Sequence, residues 1–103
     1  MNAQFKKGVL DLVLLHLVHE RPVSVYDILI RLRSALDVNE NTIYPLLRRL
    51  EKEGHLRHVK RAGEMGAPKK IFGLTPSGTE HYRSLYEQWE TFKNEVSSLL
   101  GGQ

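Results

Sequence analysis

The hydrophobic pattern changes period several times along the chain, and each change marks an element. From Gly8 to Val18 nearly every position is apolar, with Asp11 and His16 the exceptions, inside a predicted helix that begins by Phe5. A helix with so little polar surface has to be covered over most of its circumference, by its own domain and by a second chain. Pro22 stops it. Ser24-Val25-Tyr26-Asp27 has the form of a capping box, with Ser24 as the cap and the Asp27 carboxylate at the favourable end of the dipole. Ile28, Leu29, Leu32 and Leu36 follow on one stripe of a second helix that ends near Asp37. About three residues later a third helix begins, capped by Asn39 or Asn41, with Pro45 in its opening turn and Gly54 at its stop. Ile43, Leu46, Leu47 and Leu50 form its apolar stripe, and Asn41, Tyr44, Pro45, Arg48 and Lys52 lie on the opposite side. Two amphipathic helices joined so tightly make a helix-turn-helix, whose second member is free to enter a groove.

Beyond Gly54 the period shortens. His55 to Arg61 reads as a strand, Ala62 to Pro68 as a turn-rich tip, and Lys69 to Leu74 as a returning strand with Phe72 and Leu74 on one side. Such a hairpin is marginal alone, so Leu56, Phe72 and Leu74 should lean on the helices. Thr75-Pro76 opens the last helix as cap and first helical residue. In it Tyr82, Leu85, Trp89, Phe92, Val96 and Leu99 recur at steps of 3, 4, 3, 4 and 3, a heptad seam widened by Tyr86 and Leu100. A seam that apolar calls for a partner. Gly101-Gly102-Gln103 is expected to fray.

Composition narrows the class. With 103 residues the chain forms one domain whose core a partner subunit would reinforce. Its cysteine count of 0 excludes a disulfide framework, a thiolate metal site and a cysteine nucleophile, and fits the reducing cytosol. No apolar run approaches ~20 residues and the first residues lack a signal-peptide cleavage site, so a soluble cytoplasmic protein with no membrane partner is expected. The net charge of +3 is unevenly spread. Residues 1–40 carry five Lys or Arg against five Asp or Glu, residues 41–70 eight against three, and residues 71–103 two against four. The basic excess thus coincides with the third helix and the hairpin, as a polyanion-binding face requires.

The candidate chemistry is recognition, with double-stranded DNA as the partner. Asn41, Thr42 and Tyr44 are placed to touch bases or sugars, because the amino-terminal turns of a recognition helix go deepest into the major groove. Arg48 and Arg49 are phosphate clamps, one of which can face away. Ser24, Tyr26 and Pro45 complete the helical part of the predicted face. Lys60, Arg61, Lys69 and Lys70 give the hairpin a phosphate or minor-groove role. His16 and His19 share a helix side but lack a third convergent ligand, so no metal is predicted. Asp11 and Asp27 have no nucleophile beside them. Neither an active site nor a cofactor is expected.

The order of elements and several strings resemble the PadR family of bacterial transcriptional regulators. Lys7-Gly8-Val9-Leu10-Asp11-Leu12 is similar to its opening pattern. Asn41 to Glu51 followed by Gly54 resembles its most diagnostic string, with Thr42, Tyr44, Pro45 and Leu50 matching. Gly66 with Pro68-Lys69-Lys70, then Leu74-Thr75-Pro76 with Gly78, resembles its wing and the entry to its last helix. Trp89 falls where many members carry a Trp. Two strings depart from the pattern: Ser24-Val25-Tyr26 stands where relatives often have Tyr-Gly-Tyr, and Phe72-Gly73 replaces a Tyr-Tyr pair.

The resemblance covers nearly the whole chain. It implies a mainly α fold with a small β-hairpin, a winged helix-turn-helix over residues 1–74, and a carboxy-terminal dimerisation helix over 75–103. It also implies a homodimeric repressor, formed through the first helix (residues 1–20) and the last. Phe5, Val9, Tyr82, Leu85, Trp89, Phe92, Val96 and Leu99 are the expected dimer residues. Some members respond to ligands, which makes Trp89 a candidate platform for a flat aromatic effector beside its plainer role in packing. Lys93, one turn on, sets a cation there. The expected function is a transcriptional regulator binding a palindromic operator; a dimeric winged-helix protein-interaction module, or a regulator of another winged-helix family, is the alternative.

Overall fold

The computed structural model describes residues 3–62, 66 and 68–101, with side chains from Gly8 onward. Four helices surround a small sheet: α1 (Ala3–Glu20), β1 (Val23–Ser24), α2 (Val25–Leu36), α3 (Glu40–Lys52), β2 (Leu56–Ala62), β3 (Pro68–Leu74) and α4 (Pro76–Leu99). The predicted tip falls partly outside the described residues (63–65 and 67), as do residues 102 and 103 and the side chain of Phe5.

The caps form as the sequence requires. Ser24 Oγ accepts the Asp27 N–H at 3.1 Å, Asn39 Oδ1 accepts the Asn41 N–H at 2.9 Å, and Thr75 Oγ1 accepts the Gly78 N–H at 2.9 Å. Each is an oxygen side chain just ahead of a helix, satisfying an amide the helix leaves free. Helix α2 ends on Asp37 in the left-handed region (φ 50), and the three-residue link to α3 buries Val38. The stop after α3 is Gly54 at φ +86, a conformation that L side chains rarely adopt.

The sheet is three-stranded and antiparallel, in the order β1-β3-β2. The hairpin expected from the sequence is therefore completed by a short strand: Val23 pairs with Phe72 and Ser24 with Ile71. That pairing ties the wing to the start of α2. Leu56 and Phe72 are buried, Leu74 packs at the edge, and all three lie against the helical core as expected. The centre of that core is Leu14, Leu15, Ile28, Leu32, Ile43 and Leu50, drawn from the first three helices and each almost fully buried. Helix α4 packs on α1 through Tyr82, Leu85 and Trp89, and its remaining turns extend past the core along a molecule 54 Å long.

Candidate nucleic-acid interface

Helix α3 is seated by four buried side chains, Ile43, Leu46, Leu47 and Leu50. Its other side, Asn41, Thr42, Tyr44, Pro45, Arg48 and Lys52, is exposed. With Asn39 as the cap, Pro45 is the sixth residue of the helix rather than part of its opening turn. A proline there has no N–H for the Asn41 carbonyl one turn earlier. The lost bond falls on the solvent face, beside the side chains assigned to base contact.

Two ion pairs grip the flanks of this helix. At ~100° per residue, positions 49 and 51 lie roughly 160° apart around the axis. On one flank Arg49 Nη2 donates to both oxygens of Asp11 on α1, at 2.6 and 2.8 Å, while Nη1 donates to Glu53 at 3.1 Å. On the other, Glu51 meets His58 Nδ1 of β2 at 2.5 Å, and the His58 ring leans on Phe72. The hydrogen bond from Arg49 to Asp11, the largest influence on it, holds the guanidinium protonated even above its usual range. Arg49 is thus the arginine that faces inward, and its guanidinium is engaged within the chain rather than offered as a clamp. The expectation of two outward clamps is corrected to one, Arg48.

The wing presents its cations in register. Lys60 lies opposite Lys70 and Arg61 opposite Lys69, all exposed. Side chains alternate along a strand, so these rungs set one like-charged pair on each face of the hairpin. Like charges directly opposite repel, an arrangement that phosphates relieve and water alone does not.

Of the two predicted contacts on α2, Tyr26 stands out at 67% exposed, whereas Ser24 is 7% exposed with its hydroxyl committed to the cap. Ser24 is a structural residue here, not a surface donor. The charged groups at the foot of the helix-turn-helix also pair, Arg31 with Glu20 at 3.1 Å, which keeps the Glu20 carboxyl below its usual range.

The predicted seam on α4 divides. Tyr82 is buried in its own chain, hydrogen-bonded through its hydroxyl to His16 Nδ1 at 2.6 Å and stacked on His19. Leu85 and Trp89 are half-buried against α1. Farther along, Phe92 is 49% exposed and Leu99 87%, with Val96 between them half-buried. Trp89 stands between two grooves. One, of about 400 Å³, runs between Val9 and Leu12 of α1 and Leu85 and Phe92 of α4; the other, of about 300 Å³, opens toward His16, Tyr86 and the Glu90–Lys93 pair. Lys93 does provide a cation there, but Glu90 meets it at 2.7 Å and raises its pKa.

The remaining histidines have partners within the chain: His55 bonds Ser77 at 2.9 Å and stacks on His81. Among the described residues no group of three or more His, Cys, Asp or Glu is placed to hold a metal, and no helix is long and apolar enough to cross a membrane. Sequence reasoning missed the Asp11–Arg49 tie. A single carboxylate on an otherwise apolar helix was its signal, because a carboxylate in such a setting requires a cationic or hydrogen-bonding partner.

Comparison with known proteins agrees with this geometry. The model of the transcriptional regulator PadR-like family matches residues 14–84. A PadR-like transcriptional regulator from Bacillus cereus superposes with a TM-score of 0.87 at 29% identity, over 98% of this chain and 100% of that one. A Streptococcus transcriptional regulator gives 0.86 at 30% identity, over 95% and 98% of the two chains. A PadR-like transcription factor from Bacteroides fragilis gives 0.80 at 32% identity, over 94% and 95%. No curated protein sequence matches the chain.

Proposed function

Because the chain belongs to the PadR-like family of transcriptional regulators, we propose that it works in the cytoplasm as a homodimeric repressor, reading a palindromic operator with α3 and gripping the flanking phosphates with its wing. One observation carries this reading: the exposed face of a helix braced on both flanks continues onto a hairpin whose cations stand in matched rungs. A merely solvated helix needs no such bracing. Asn41, Thr42 and Tyr44 supply the polar groups for base edges and sugars, and Pro45 adds an apolar contact surface. Arg48, Lys60, Arg61, Lys69 and Lys70 supply phosphate contacts, and Tyr26 a further hydroxyl at the start of α2.

The second copy docks on the outward part of α4, through Phe92, Val96 and Leu99 together with Val9 of α1. The groove beside Trp89 then lies next to the dimer seam. Its size, at the lower end of the range for small-molecule sites, and its apolar walls suit a flat aromatic effector that releases the operator by changing the angle between the two reading heads.

Selection of bound duplexes from a random library tests the proposal. The expected product is an inverted repeat whose half-sites are centred ~10 bp apart or a multiple of that, one helical turn being roughly 34–36 Å. Enrichment of no sequence, or of a single unpaired half-site, would refute it. Repeating the selection with planar aromatic compounds tests the effector.

A further inference from the structure

Asp11 has a place in the structure that DNA contact alone does not explain. It lies on α1, among the groove-lining residues Val9 and Leu12, yet its carboxylate takes both short bonds from one nitrogen of Arg49 on α3. Its side chain is 14% exposed against 35% for Arg49, so the carboxylate is the anchored partner and the guanidinium is drawn to it. Glu53 closes on the other nitrogen. Arg49 follows Arg48 directly, at the edge of the exposed face, and without these carboxylates it would add another cation to a surface that already carries Arg48 and Lys52.

Resting on the reading of α3 as the DNA-contacting helix, we infer that Asp11 is a specificity-determining residue that acts through Arg49, withholding its guanidinium from phosphates while fixing the roll of α3. The physical argument concerns the ratio of two affinities. Phosphate contacts raise binding to every sequence alike, whereas base contacts raise it only for the right one. A cation held against a protein carboxylate is removed from the first class of contact and lost from neither side of the second. The same bond fixes the azimuth at which Asn41 and Tyr44 meet base edges, because Arg49 sits on the helix they share. Asp11 thus lowers background binding and secures register with one carboxylate.

The test uses the full chain, the variants D11N, R49Q and D11N/R49Q, a mixed-sequence duplex of about 25 bp, more than two helical turns, and a duplex selected by the wild type. Each neutralised phosphate contributes about 0.9 to the slope of log affinity against log salt. D11N frees Arg49. Its loss of affinity for the mixed duplex between 50 and 200 mM salt is therefore expected to be about 3-fold deeper than that of the wild type, with a lower ratio of selected to mixed binding. R49Q and the double variant should keep the wild-type slope, because Arg49 is no phosphate contact in the native chain. A tie that served stability alone would lower melting temperature in all three variants and leave every slope unchanged. That result overturns the inference, as does a slope shallower by about 0.9 in R49Q, which would place Arg49 on a phosphate already. If D11N fails to fold, R49Q still decides, through its slope. A wild type without affinity for either duplex fails the DNA reading itself, an outcome distinct from both.

Discussion

A Cβ on Gly78 would overlap the carbonyl oxygen of His55 and stand 2.9 Å from its carbonyl carbon. The first turn of α4 is thereby pressed against the junction between α3 and the wing. Thr75 fastens the same contact, donating its hydroxyl to the Gly54 carbonyl at 2.6 Å and its N–H to the His55 carbonyl at 3.2 Å. The obstacle at Gly78 is backbone, which cannot rotate aside, so Gly78→Ala has to move either α4 or the wing. The expected cost is that of overpacking, about 1–3 kcal/mol. For a chain of this size each kcal/mol corresponds to a fall in melting temperature of about 4–8 °C, read by thermal unfolding. An unchanged melting temperature would mean that the junction gives way freely.

Tyr82 makes stability pH-dependent at the alkaline end. Burial, more than the neighbouring Tyr86 and Glu20, raises its pKa above the ordinary 10.0. A group whose pKa is raised by folding binds its proton more tightly in the native state. Its contribution is complete below the unfolded pKa and is lost as pH rises through the folded one. Lys93, raised by Glu90, acts in the same direction but at the surface. The urea midpoint of the wild type should thus fall above about pH 10. Tyr82→Phe, which also loses the bond to His16, should start about 0.5–1.5 kcal/mol lower at pH 7 and fall less steeply beyond pH 10. Parallel curves would assign the alkaline loss to other groups.

How far the sequence disclosed these contacts depends on their range. The caps at Ser24, Asn39 and Thr75 are local, each a side chain bonding an amide two or three residues ahead, and they were readable from residue types alone. So was the apolar stripe of α3, whose four predicted positions are buried. Strand β1 was not, because two residues have no period and Val23 finds its partner at Phe72, far along the chain. The Asp11–Arg49 bond likewise joins residues separated by 38 positions. The regular spacing on α4 identified a face but not what covers it: Tyr82 is taken up by α1 of the same chain, while Phe92, two positions on in the seam order, is left to solvent. Periodicity reports which residues need burial. Whether the same chain supplies it is decided by where the helices end.

Ser24→Ala separates capping from DNA contact. Ser24 Oγ accepts the Asp27 N–H, and the residue also pairs with Ile71. Loss of the cap should cost about 0.5–2 kcal/mol in unfolding free energy. Affinity for DNA at a temperature well below unfolding should retain its salt slope. A shallower slope in this variant would restore Ser24 to the contact surface.

Arg48→Ala should do the reverse. Arg48 is exposed on α3 and belongs to none of the ion pairs among the described residues. Its removal is expected to leave melting temperature within about 0.5 kcal/mol of the wild type while reducing the salt slope by about 0.9. Fluorescence anisotropy with a selected duplex measures both affinity and slope. Unaltered affinity at every salt concentration would exclude this face of α3 from the interface.

Phe92→Glu addresses assembly. Phe92 is half-exposed in the single chain, so it contributes little to that chain's own core, yet it borders the groove shared by α1 and α4. Burial of a side chain this size is worth about 1.5–3 kcal/mol, and a two-fold axis buries it twice. Replacing both copies with carboxylates should weaken dimerisation by about a hundredfold or more. Sedimentation at micromolar concentration should then show a monomer with unchanged helical circular dichroism. Palindrome binding should weaken in step, since two reading heads no longer arrive together, while affinity for an isolated half-site stays near that of one wild-type head. Tyr82→Phe, on the same helix but facing its own chain, should stay dimeric at the same concentration. If Phe92→Glu remained dimeric and Tyr82→Phe did not, the second copy would dock on the amino-terminal half of α4, and the groove beside Trp89 would lie open to solvent rather than along the seam.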